Sequence, residues 1–450
     1  MERARAMFGV GHSRWWTATT MHVPMVLFAL AAFLLVRNAM GGGGEVSRPP
    51  IAAAGPDYAA TRDADIAFFE GRVVETRDSL SYNRLVSLYL QRYRERGDVA
   101  DIGRAEVAAV HSTGAAPGNY SSIVALASVR LVQHDFSGAE ELAREAMVQR
   151  PTLADAHAIL GDALFAMGRY DEADSAYRVV LDKAPGPAAF SRLASVAEVR
   201  GNTDLAEQFW TAAIDSEMKP EPAAWASVQL GHLYFVLGDL DRAEASLARA
   251  LEAFPDYPHA LAGRGKVAAA RGDWPAAAQY LNQAVTIAPY IDYVGTLGDV
   301  LALDGQIEAA ERQFQLVHAL TSLEAANGIR GDLTALLFAL DHGGATAEVL
   351  TAARQAFEER PSVAAADAYA WALYRTGDME GAWKHIQIAR ATGKRDPQFA
   401  FHAAAIAQAR GDTSGARAFL AELDMLNARF VPAYDEEITA LRAAVQGGGR

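Results

Sequence analysis

Few residues in this 450-residue chain have the types and spacing that chemistry needs. The 11 histidines are scattered; none forms H-E-x-x-H, and no pair stands at metal spacing beside a carboxylate cluster. There is no cysteine, which removes disulfides, thiol catalysis and cysteine metal sites. The stretch "GRGKVAAARG", Gly263 to Gly272, starts like a phosphate-cradling loop but lacks the P-loop spacing and has no strand before it. No G-x-S-x-G elbow occurs. Asn119-Tyr120-Ser121 is a formal glycosylation sequon, a triplet short enough to recur by chance. Arg-Gly-Asp occurs four times, beginning at Arg96, Arg271, Arg330 and Arg410, and read alone would suggest an adhesion ligand. The expectation is a chain with no catalytic residues, no metal and no cofactor.

Charge narrows the partners. The net charge is −14. The first 44 residues hold four basic residues and one acidic residue, so the remainder carries 37 basic against 54 acidic, a net −17. Such a body repels phosphate backbones, which argues against nucleic acid.

The segment from Trp15 to Val36 is 22 residues without Asp, Glu, Lys or Arg. As a helix it would reach about 33 Å, enough for a bilayer core. The following "RNAMGGGG" fits poorly as a signal-peptidase site, so a signal anchor is favoured over a cleaved leader. Arg3, Arg5 and Arg14 precede the segment and only Arg37 follows closely. The positive-inside rule then leaves residues 1–14 in the cytoplasm and places the rest beyond the cell membrane, periplasmic or extracellular. Glycines and prolines through residue 61 read as a linker, 37–61.

The remainder repeats. In Leu230 to Pro255, one apolar stripe holds Leu230, Leu233, Tyr234 and Leu237, and a second holds Leu240, Ala243, Leu247 and Ala250. Gly238 separates them, Asp239 suits a helix cap, and Pro255 ends the pair. The same turn recurs at His134, Gly168, Gly201, Gly238, Gly272, Gly305, Gly344, Gly377 and Gly411, at intervals of 33 to 39 residues. Five residues beyond each turn stands alanine in eight of nine cases, with Val349 the exception. Seven residues before it stands a small residue in most units, with Leu337 out of pattern. Three of the Arg-Gly-Asp triplets then become turns between helices, and Arg330-Gly331-Asp332 a cap before a first helix.

This register, with the Leu230-Gly231 and Tyr234 signature, resembles the tetratricopeptide repeat over roughly Tyr120 to Pro432. The resemblance implies an all-α solenoid, a right-handed superhelix of hairpins with a concave groove. Residues 62–118 would supply a cap helix and a degenerate repeat, 119–432 eight to nine units, and 433–450 a C-terminal cap and tail. It also implies that the first helix of each hairpin lines the groove, 13, 10, 9, 6 and 3 residues before the turn. On that basis the groove candidates are Asp162, Phe165, Trp225, Gln229, His232, Phe235, Lys266, Trp371, Tyr374 and Phe401. Aromatics among polar neighbours anchor peptides well, although Trp225, Phe235 and Trp371 could equally pack against adjacent helices. Only Arg192 and Lys266 resemble any part of the clamp that chaperone-binding members use, so a chaperone-tail receptor is not implied. The expected function is a membrane-anchored scaffold that binds a protein segment. The alternative is a sensor or carrier holding a small molecule, glycan or lipid in the groove.

Overall fold

The computed structural model describes residues 53–55 and 57–447. The expected membrane segment, 15–36, lies outside them. Among the described residues no helix is long and apolar enough to cross a membrane.

Helix α1 (Tyr58–Thr76) begins within the stretch expected to be linker. Ten hairpins follow. In order they pair α2 (Ser79–Arg96) with α3 (Ala100–Ala115), α4 (Tyr120–Val132) with α5 (Phe136–Gln149), and α6 (Ala154–Ala166) with α7 (Tyr170–Lys183). Next come α8 (Pro187–Val199) with α9 (Thr203–Ser216), α10 (Pro220–Val236) with α11 (Leu240–Ala253), and α12 (Pro258–Arg271) with α13 (Trp274–Ile287). The last four are α14 (Ile291–Leu303) with α15 (Ile307–Ala326), α16 (Leu333–Phe338) with α17 (Ala347–Glu359), α18 (Val363–Arg375) with α19 (Met379–Arg390), and α20 (Pro397–Ala409) with α21 (Thr413–Asp424). A 3-10 turn at Pro432–Tyr434 leads into α22 (Asp435–Gly447). No strand occurs among the described residues.

The turns form as the sequence predicts. Gly272 and Gly411 take φ of +81° and +82°, and the Asp273 and Asp412 carboxylates accept from the Ala276 and Gly415 amides, 3.1 and 2.8 Å away. A left-handed residue ends one helix and a carboxylate satisfies the orphan N–H groups of the next. Gly97 behaves likewise, with Asp98 reaching the Ala100 amide at 3.1 Å. His134 adopts the same left-handed conformation, φ +58°, without being glycine. Asp332 caps α16 by accepting from Thr334 and Ala335 at 2.7 and 3.0 Å.

Packing explains the small residues. The alanines five residues past the turn, such as Ala139, Ala173, Ala243 and Ala416, are completely buried between paired helices. A Cβ on Gly161 would overlap the Tyr177 ring, and one on Gly298 would overlap Phe314. These two positions need glycine because a bulky ring from the second helix occupies the site. Where Leu337 and Val349 break the pattern, α16 shortens to six residues and continues as a π turn, Ala339–Gly343.

The hairpin ribbon coils back onto itself. Tyr290 donates its hydroxyl to the Tyr93 carbonyl at 2.8 Å, across 197 residues. The Arg330 amide donates to the Gln133 carbonyl at 3.1 Å. The Val363 amide donates to the Tyr170 hydroxyl at 3.0 Å, across 193 residues. The Asn427 amide donates to the Val236 carbonyl at 3.0 Å. In each case a hairpin turn of the first coil meets a loop between hairpins of the second. At about 34 residues per unit, fewer than six hairpins complete one circuit. The seam leaves no open gap between these coils at the points it joins.

Candidate functional site

Two hollows lie inside the coil, both bordered by α10. The larger, about 580 Å³, is walled by Asp162 and Phe165 of α6, Ser191 and Arg192 of α8, and Trp225 of α10. Arg192 grips Asp162 with two hydrogen bonds, Nε to Oδ1 at 2.8 Å and Nη2 to Oδ2 at 2.7 Å. The Tyr177 hydroxyl donates to the same carboxylate at 3.0 Å. Burial works against the Arg192 charge, but the Asp162 carboxylate outweighs it and raises the guanidinium pKa. Trp225 is half-buried, its ring edge-on to Trp210 at 5.5 Å. Arg94 of α2 reaches in beside Glu221, 3.6 Å apart. Burial raises the Glu221 carboxyl above its ordinary range, partly offset by Arg94.

The smaller hollow, about 220 Å³, holds Gln229, His232 and Phe235 of α10 with Lys266 of α12. Lys266 donates to Asp292 at 2.6 Å. His232 is exposed to the space of the hollow. Desolvation by the surrounding walls, then the Lys266 and Lys394 ammoniums, hold its pKa down to about 4. Lys394 is tied to Asp396 at 2.7 Å, and both sit on the loop between α19 and α20 of the second coil. Phe235 is buried and borders the space.

Trp371, Tyr374 and Phe401 lie elsewhere. Trp371 and Phe401 are 0% and 1% exposed, sealed beneath the segment that runs from Leu426 to Tyr434. Trp371 Nε1 donates to Asp341 at 2.9 Å, and the Tyr434 hydroxyl donates to the other Asp341 oxygen at 2.8 Å. The Trp371 ring stacks on His402 at 4.0 Å, and His402 Nδ1 meets Asp367 at 2.9 Å. Tyr374 stacks on the Trp371 ring at 4.8 Å and is half-buried. The repeat register places all three on the inner side, but the chain's own C-terminal segment covers that part of the coil. The ten candidates therefore divide: Asp162, Phe165 and Trp225 in the larger hollow; Gln229, His232, Phe235 and Lys266 in the smaller; Trp371, Tyr374 and Phe401 at the plugged end.

Sequence reasoning missed Arg94, which comes from the first hairpin of the same coil, and Lys394, which comes from the second coil. Arg192 stood out in the sequence as a partial clamp, without its Asp162 partner. Among the described residues no group of three or more His, Asp or Glu could hold a metal ion.

Residues 131–196 and 228–290 match tetratricopeptide-repeat family models. The matched spans contain four hairpin turns of the register, His134, Gly168, Gly238 and Gly272, each left-handed. These spans are tetratricopeptide repeats. Repeats of this kind stack into concave surfaces that bind proteins. The repeat body is also similar to several solved structures. Pseudomonas aeruginosa PilF is 18% identical, with 51% of this chain and 93% of that one covered and a TM-score of 0.34. The Cut9 and Hcn1 assembly of the APC/C is 12% identical, covering 87% and 94%, with a TM-score of 0.39. Yeast Tom70 is 13% identical, covering 87% and 93%, with a TM-score of 0.36. The comparison with curated proteins returns no match.

Proposed function

We propose that this tetratricopeptide-repeat protein is a non-enzymatic scaffold that takes a segment of a partner protein into the two hollows along α10. One observation carries the reading: half-buried Trp225 and open His232 share one helix, with Asp162, Arg192, Gln229 and Lys266 around them. An aromatic anchor among fixed polar groups suits a peptide side chain and its backbone. The segment 15–36 would hold the body at the cell membrane, with the N-terminus cytoplasmic and the repeats periplasmic or extracellular. That part rests on the charge pattern of the sequence. A photo-crosslinker at Gln229 of the full-length chain, in its native envelope, tests the reading. Capture of one discrete protein, lost with Trp225→Ala, supports it; capture of nothing beyond background sinks it. A reporter fused after Arg450 tests topology, and activity of a cytoplasm-only reporter there would overturn the orientation.

One observation favours the second reading, a small-ligand carrier. The seam closes part of the coil, and a hollow of about 580 Å³ is the size of small-molecule sites. A thermal-shift screen separates the two, since a carrier should be stabilised by a compound and a peptide scaffold should not.

A further inference from the structure

A third hollow, about 500 Å³, opens on the seam and shares no lining residue with the other two. On the first coil it is lined by His134, Asp135 and the start of α5, Phe136 and Ser137. On the second coil it is lined by the Arg330-Gly331 loop and one face of α17, including Ala352, Ala356 and Arg360. Its charged groups all have hydrogen-bonding partners except one. Asp135 holds Arg330 at 3.2 Å, and Glu359 accepts from Gln355 at 2.7 Å. His134 gives Nδ1 to the Arg330 carbonyl at 3.1 Å, and burial keeps its pKa below the ordinary value. Arg360 has no ion pair among the described residues. Its Nη2 is buried and has no acceptor. Asp332 and Glu359 act on it only through space, while burial opposes its charge. The guanidinium lies 5.7 Å from the Phe136 ring centre, beside the apolar faces of Ala352 and Ala356.

A buried N–H without an acceptor loses the hydration it had in the unfolded chain, and a carboxylate restores it with a charge-assisted bond. Helix α5 starts at this wall, its N-terminal end already capped by the Asp135 carboxylate. We propose that the seam hollow binds a small organic acid, with Arg360 taking the carboxylate and Phe136, Ala352 and Ala356 holding a compact apolar body. The ligand touches both coils, so it also fastens the seam.

Benzoate is the probe and benzamide, its neutral counterpart, the control, titrated calorimetrically into the full-length chain in mild detergent. Benzoate should bind with a dissociation constant of about 1 mM, as its few atoms allow. Benzamide should bind at least about tenfold more weakly, as should benzoate to Arg360→Met. Ala352→Phe fills the hollow from an exposed position and leaves Arg360 untouched, so binding should be lost. Benzoate that fails to bind at about 20 mM, far above that constant, overturns the proposal. Equal affinity for benzamide, or for the Ala352→Phe protein, overturns it too. If Arg360→Met does not fold, Ala352→Phe decides alone.

Discussion

The seam can be tested with one substitution made at two turns. Gly168 and Gly411 hold the same place in their hairpins, with φ of +77° and +82°. An alanine at either position pays the left-handed penalty of about 1 kcal/mol, and the entropy removed from the unfolded chain is common to both. Their surroundings differ. A Cβ on Gly168 would stand 2.5 Å from the Pro361 carbonyl oxygen and 2.9 Å from the Ser362 Cα, both backbone atoms of the second coil. A Cβ on Gly411 meets nothing within 4 Å. Overpacking against backbone adds about 1–3 kcal/mol. Gly168→Ala should therefore destabilise the body by about 2–4 kcal/mol and Gly411→Ala by about 1 kcal/mol. Urea unfolding followed by helical circular dichroism reads both. Costs equal within about 0.5 kcal/mol, the usual scatter of surface substitutions, would refute coil-to-coil contact at this turn.

Other predictions address the interior. His232 should titrate near pH 4, read from its imidazole resonances. Its folded pKa lies below the ordinary 6.5, so its contribution to stability is complete above pH 6.5 and declines as pH falls towards 4; a midpoint near 6.5 would mean the side chain faces bulk water. Tyr434→Phe removes the hydroxyl bonded to buried Asp341 and should cost about 1–3 kcal/mol, with near-ultraviolet dichroism of Trp371 altered; an unchanged midpoint would show that the C-terminal segment does not seal that end.

The hairpins were legible because their signals are local. Gly238, Asp239 and Ala243 act within one turn of chain, and each unit repeats them. The larger hollow was half legible. Register alone puts Asp162 and Trp225 on the inner side, but Arg94 arrives from the first hairpin, ahead of the regular register, and carries no motif. Trp371 and Phe401 obey the same register and still end up covered. What covers them is Phe430 and Tyr434, placed by a path through the interior that no periodicity encodes. Tyr170 and Tyr290 look like ordinary hairpin aromatics, and only coil curvature turns them into seam donors and acceptors. Curvature sums small rotations over nearly six units, so no single stretch of sequence states it.

The absence of native cysteine permits a clean measurement of the closed coil. A Cβ on Gly97 would lie 3.3 Å from the Cβ of Ala288, close to the spacing a disulfide needs. The Gly97→Cys, Ala288→Cys protein should form an intramolecular disulfide under mild oxidation, seen as faster migration on a non-reducing gel and reversed by reductant. A folded protein that keeps both thiols free under those conditions would contradict the closed coil.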